Sequence, residues 1–286
     1  MDPKNTIEDI ILMHSHRGMD RLRPYLPETF CRDAAEEILS WQRGTVLLAT
    51  GFYVAGHAET DGPAGTVVLA KALQTLGFVP CVLTDSTCSH YFEPEGLDVV
   101  YMDIEDGEDF AADLLQRLQP AGLISIERCG RNIKGDYANM HGENIRSHTA
   151  RIDALFEEAY GSVPTIGVGD GGNEIGMGNL AEEISEFLDL VPCRVRTDRL
   201  VIASVSNWGA YGITAYLEEL TGQPVLPPLT DVEAYLRRTL QLGSVDGVLQ
   251  QNVFSVDGYP LAESEEVYEA LRRAVRSYTA PSGTRE

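Results

Sequence analysis

Apolar residues fall along the chain in two alternating rhythms. Short, nearly unbroken apolar or β-branched runs at residues 45–52, 79–84, 99–103, 123–126, 165–168 and 200–205 have the composition of strands buried on both faces. Between and after them, apolar positions recur at helical spacing over 64–76, 110–118, 145–160, 181–188, 213–220, 231–240 and 263–278. Pro63 stands where it opens the first of these helices. Residues 1–42 also read as helical: Ile7, Ile10, Ile11 and positions 13–22 form an apolar stripe, Pro24 and Pro27 interrupt it, and 33–41 resume it. The alternation predicts an α/β fold: a doubly wound, largely parallel sheet with helices on both faces, Rossmann-like, behind a helical N-terminal segment. One domain is expected over 1–278, with 279–286 a frayed tail.

Four of the apolar strands run into polar motifs that a core does not require. After the first comes Glu59-Thr60-Asp61-Gly62-Pro63, in which Thr60 and Asp61 read either as helix caps or as ligands. After residues 123–126 comes Glu127-Arg128-Cys129-Gly130-Arg131-Asn132, and after 200–205 comes Ser206-Asn207-Trp208-Gly209. The densest motif, residues 165–178, holds six of the 27 glycines together with Asp170, Asn173 and Glu174. Glycines such as Gly171 and Gly172 let the backbone turn sharply and approach a ligand closely. Since the carboxyl ends of parallel strands share one edge, the four motifs converge on one cleft. Gly167, Gly169 and Gly172 formally match a dinucleotide fingerprint, but Asp170 and Glu174 would set negative charge against a pyrophosphate. Carboxylates and an amide on a glycine turn suit a hard cation, which makes Asp170, Asn173 and Glu174 the metal candidates.

Composition narrows the classes. In 286 residues, 43% hydrophobic, there is core enough for a sizeable domain. No apolar run is long enough to span a bilayer, and the N-terminus lacks a secretory pattern, so a cytoplasmic location is expected. The five cysteines show no paired spacing and read as reduced thiols. A net charge of −22 argues against nucleic acid and anionic membranes as partners and in favour of cations. His14 and His16, two apart, read as packing or surface residues, while Arg17-Gly18 is left open as a reach toward an anion. Whether the chain forms a homo-oligomer is open at this level.

Taken together, the strings Thr50-Gly51-Phe52, Glu59-Thr-Asp-Gly-Pro63, Ile126-Glu-Arg128, Gly130-Arg131, Gly135 with Tyr137 and Asn139, Gly167 to Gly178, Val205-Ser-Asn-Trp-Gly209 and Val256-Asp-Gly-Tyr-Pro260 resemble the D-glutamate cyclase-like, C-terminal family over nearly the whole chain. The resemblance implies conversion of D-glutamate to 5-oxo-D-proline and water. For that chemistry Asp170, Glu174 and Asn173, with Glu127 and Asp61 beside them, would hold Mn²⁺ or Mg²⁺, whose preference is for oxygen ligands. Glu127, Arg128 and Asp61 are the expected catalytic residues. Arg131, Asn139, Asn207, Trp208, Gly171 and Gly172 are expected around the small anionic substrate, with Arg128 or Arg131 clamping its α-carboxylate. Two other readings suit the same motifs: a divalent-metal-dependent phosphohydrolase, and a ligand-binding module without catalysis.

Overall fold

The computed structural model describes residues 6–188 and 190–279, so most of the expected tail at 279–286 lies outside the described residues. Six strands form one parallel sheet: β1 (Thr45–Thr50), β2 (Val79–Thr84), β3 (Asp98–Tyr101), β4 (Gly122–Ile126), β5 (Thr165–Gly169) and β6 (Arg199–Ile202). Their spatial order is β3-β2-β1-β4-β5-β6, that of a doubly wound sheet whose direction of growth reverses between β1 and β4. Every residue of β4 and β5 is buried, as are all but the first of β1. Side chains alternate between the two faces of a strand, so burial without alternation means that both faces are covered.

The covering helices are α1 (Phe30–Ser40), α2 (Pro63–Thr75), α3 (Glu108–Leu118), α4 (Asp153–Ala159), α5 (Ala181–Phe187), α6 (Ser206–Thr221), α7 (Leu229–Gln241) and α8 (Leu261–Thr279). Helix α6 is the hub of one layer, packing on α1, α2 and α8, while α3 packs on α4. The register aligns Thr50 with Ile126, Ile126 with Val168 and Gly169 with Ile202, so β1, β4, β5 and β6 end at one edge. Two short hairpins cap that edge, Tyr53–Val54 with His57–Ala58 and Ser255–Val256 with Tyr259–Pro260.

Three stretches depart from the apolar pattern, each for a local reason. Helix α6 starts at Ser206 rather than at 213, because Asp61, 145 positions away, accepts its first N–H groups. Gly209, a loop signal in sequence, is a contact glycine inside α6: a Cβ there would lie 2.7 Å from Val168 Cγ1 of β5. Over 145–160 only α4 is α-helical. Arg146–His148 is a single 3₁₀ turn, and Asp153 opens α4 while its carboxylate accepts from the Arg131 N–H and the Tyr137 hydroxyl. The N-terminal stripe is interrupted too: a strap runs between the short helices Ile7–Ile11 and Met19–Leu22, with His14 at φ +58° and Gly18 at φ +88°.

Candidate active site

The glycine-rich turn after β5 is braced from within. Both oxygens of Glu174 accept backbone N–H groups of the same turn, Gly171 at 2.8 Å and Gly172 at 2.7 Å. Asn173 donates through Nδ2 to the Ala138 carbonyl at 2.8 Å, and its own carbonyl accepts the Gly130 N–H. Turn and neighbouring loops thus hold each other, and Asp170, the first residue past the strand, is left fully buried with Oδ1 facing the Arg17 guanidinium.

Asp61 and Glu127 meet it from the two strands that flank the reversal point. Asp61 sits at the N-terminus of α6, accepting the Ser206 and Asn207 N–H groups at 2.8 Å each. The free N–H groups and partial positive charge of that sixteen-residue helix favour the carboxylate. Glu127 follows β4 with φ +47°, an uncommon conformation for a non-glycine residue, and Ser206 Oγ donates to its Oε2 at 2.6 Å. One oxygen from each of Asp61, Glu127 and Asp170 lies within 4.8 Å of the other two. Glu59, whose Oε1 is buried without a partner, and Asp257 of the second hairpin add two more carboxylates.

The electrostatics follow from burial and crowding. Desolvation, then the charges of Glu174 and Glu59, holds the Glu127 carboxyl well above the usual range. Desolvation raises Asp170 as well, against the pull of Arg17, and raises Glu174 against its two backbone donors. Desolvation followed by Asp257 pushes Asp61 up to about 7 and Glu59 well up. Among the described ion pairs a single guanidinium serves the cluster: Arg17 Nη2 pairs with Asp170 Oδ1 and Asp257 Oδ2. Burial works against that charge, yet Asp170 and Asp257 hold it firmly ionised. One cation among this many buried carboxylates leaves the cluster undercompensated. An all-oxygen donor set, with an oxygen of Glu59 left without a partner beside it, suits a hard divalent cation.

Other predicted residues hold the frame. Arg128 is 1% exposed and spends its guanidinium on Asp85 at 2.7 Å, the Gly51 carbonyl at 2.7 Å and the Ala150 carbonyl at 2.8 Å. Arg131 pairs with Glu157. Asn207 joins two helices: its Oδ1 accepts the Gly62 and Gly65 N–H groups at the start of α2, and Nδ2 donates to the Thr60 carbonyl. Trp208 is buried, with its ring tilted against Tyr259. Asn139 closes its own loop onto Glu143 and lines a small inner cavity of about 30 Å³ beside Glu59, Glu127, Glu174 and Asp257. Gly171 and Asn173 line a larger outer cavity of about 440 Å³ with His16, Arg17, Arg21 and Leu188.

Ser206, Asp257 and Glu59 are legible in sequence only as members of motifs, and Arg17 only as an open reach toward an anion; what brings the four together is long-range packing. The histidines beside Arg17 pack as expected: His14 bonds Glu266 at 3.2 Å and His16 stacks on Tyr259 at 5.5 Å. The model for the D-glutamate cyclase-like, C-terminal family matches residues 7–272. Human mitochondrial D-glutamate cyclase is 32% identical to the chain, over 72% of this chain and 38% of that protein. The chain therefore spans well under half of that relative's length. Among the described residues no helix is long and apolar enough to cross a membrane. With a match over nearly its whole length and a buried acidic site built from the motifs that carry the likeness, the chain belongs to the D-glutamate cyclase-like, C-terminal family.

Proposed function

We propose that this domain is a metal-dependent lyase that closes D-glutamate to 5-oxo-D-proline with loss of water, at the cluster of Asp61, Glu127 and Asp170. The observation that carries the reading is the convergence of those three buried carboxylates within 4.8 Å, beside a Glu59 oxygen buried without a donor and with Arg17 as the single guanidinium paired into the cluster among the described ion pairs. An anionic substrate would not enter so negative a pocket unless a cation stood in it. Asp61, Glu127 and Asp170 would hold Mn²⁺ or Mg²⁺, with Glu174 and Asn173 bracing the turn that presents Asp170. Bound there, the ion supplies Lewis-acid polarisation of the substrate's γ-carboxylate.

The remaining work is proton transfer. As the C–N bond forms and the C–O bond breaks, the substrate ammonium gives up two protons and the departing oxygen takes two to leave as water. Burial and crowding hold the carboxyls of the cluster above their usual range, which favours one that does not ligate the ion as the group that accepts from the ammonium and passes protons to the departing oxygen. Glu59 is the best placed, since it stands outside the three that would hold the ion, its Oε1 is buried without a partner and it lines the inner cavity with Glu127.

The test is product formation by the purified chain. D-glutamate with Mn²⁺ or Mg²⁺ should yield 5-oxoproline, L-glutamate should react much more slowly, chelator should stop turnover, and Glu127→Gln should lose it by about a hundredfold or more. Metal-dependent phosphate release from small phosphomonoesters, with no 5-oxoproline from either enantiomer, would move the assignment to a phosphohydrolase. Ligand binding without turnover would make the chain a binding module.

A further inference from the structure

Two observations about Arg17 have no part in that chemistry. Its side chain stands between the two cavities, lining both the smaller inner one with Glu59, Glu127 and Asp257 and the larger outer one with His16, Arg21 and Gly171. It is also the cation that neutralises Asp170, one of the three converging carboxylates. A dication held by Asp61, Glu127 and Asp170 would share Asp170 with that guanidinium at close range, and like charges in a buried, low-dielectric site repel strongly. Arg17 therefore cannot keep its present contact without weakening the ion.

The means of moving are at hand. Arg17 is carried on the strap between two short helices, not on the sheet, and the strap is pinned on either side of it rather than at it. His14 bonds Glu266 and accepts the Tyr259 hydroxyl on its carbonyl, His16 stacks on Tyr259, and Met19–Leu22 begins just beyond. The long side chain can swing by rotamer change with the strap fixed. The neighbouring outer cavity, about 440 Å³, is large enough for a small dicarboxylate and receives Arg17 and Arg21 on one wall. Arg21 already donates to the Phe187 carbonyl, and Arg128 and Arg131 are tied to Asp85 and Glu157, which leaves Arg17 as the guanidinium facing both spaces.

We infer that Arg17 is a displaceable counter-cation: it occupies the acidic cluster when no metal is bound, is expelled from Asp170 by a divalent cation, and in the outer cavity then binds the carboxylate of the incoming anionic substrate. The inference rests on the metal reading of the cluster and adds an order of events to it, with metal first and substrate second. Arg17 would thereby set the substrate class, since the expelled guanidinium presents a planar pair of donors that matches a carboxylate.

The prediction is a pair of effects of opposite sign. By titration calorimetry on the metal-stripped chain, Arg17→Met should bind Mn²⁺ about tenfold or more tighter than wild type, because a competitor is gone. On the Mn²⁺-saturated chain the same variant should bind D-glutamate about tenfold or more weaker, with Arg17→Lys intermediate. A general packing defect would weaken both, so Mn²⁺ affinity that is unchanged or lower in Arg17→Met overturns the inference. Should that variant not fold, a crystal of the wild-type chain soaked in Mn²⁺ decides the matter: the ion's anomalous peak at Asp170 with Arg17 swung away supports the inference, and the peak with the Arg17 to Asp170 pair intact overturns it. Mn²⁺ binding to none of the three proteins would instead remove the metal reading itself, and the inference with it.

Discussion

At the scale of single residues, the pair that decides most about stability is Arg128 with Asp85. Its bond crosses from the end of β4 to the turn after β2, and the guanidinium also carries the carbonyls of Gly51 and Ala150, so three loops at the sheet edge hang on one side chain. Against the desolvation of Asp85, the Arg128 charge holds its carboxyl below the usual range. Truncating the cation should strand a buried carboxylate, and Arg128→Met is expected to cost about 3–5 kcal/mol in denaturant unfolding. Because Asp85 is depressed, its contribution is present above the ordinary carboxylate pKa and is lost as pH falls through the folded value. The variant should therefore lose part of the acid sensitivity of the wild type; an equal loss of stability at every pH would count against this pairing. Sequence could mark Glu127 and Arg128 as a pair at a strand end, but it could not divide their labour. One faces the cleft at φ +47° and the other faces inward to a partner 43 positions back, and both facts belong to the folded chain.

Elements show the same division. Strands and helix openings obey local rules, and these were readable: the apolar runs are strands, Pro63 opens α2, and the polar motifs do gather at one edge. Where a helix is capped by a distant side chain, local rules fail. Asn207 lies in the first turn of α6 but serves the start of α2, while Asp61, just before α2, serves the start of α6. The two helices cap each other, and the polar Ser-Asn-Trp-Gly string that reads as a loop is helix for that reason. Their closeness has a steric counterpart in Gly65, where a Cβ would come within 2.8 Å of Ala210 Cβ and 3.0 Å of Asn207 Cα. Gly65→Ala should force the helices apart at a cost of about 1–3 kcal/mol, although alanine is the better helix former. Asn207→Ala should cost a comparable amount, leaving the Gly62 and Gly65 N–H groups unsatisfied. Since both changes loosen one junction, the double variant should fall short of the sum by more than ~0.5 kcal/mol. A strictly additive cycle would mean that capping and close approach are separate features.

For the molecule as a whole the question is how a chain with net charge −22 can concentrate carboxylates in its interior as well as on its surface. In the metal-free protein the answer is protonation. Burial and the neighbouring Asp257 raise Asp61 to about 7, against roughly 3.9 for an unfolded aspartate. The folded chain thus holds a proton that the unfolded chain releases between about pH 4 and pH 7, so metal-free stability should decline as pH rises through that window, by at most about 1.4 kcal/mol per unit for each such group. Surface repulsion also grows with pH, but salt separates the two: at ~1 M ionic strength the screening length is ~3 Å, which removes surface repulsion and leaves the buried term. Saturating Mn²⁺ should abolish the decline, because ion binding requires the carboxylates ionised and drives their protons out. It should also raise the melting temperature by the mass-action increment, about 2.7 kcal/mol at a hundred times the dissociation constant. Melting curves of the metal-stripped chain across this range, at high salt and with and without Mn²⁺, test the whole picture, and Asp170→Asn should show both a shallower decline and little gain from the ion. Metal-free stability that climbs with pH from 4 to 7 in high salt would mean that the buried carboxylates are ionised throughout, and the proton transfers assigned to the cluster would lose their basis.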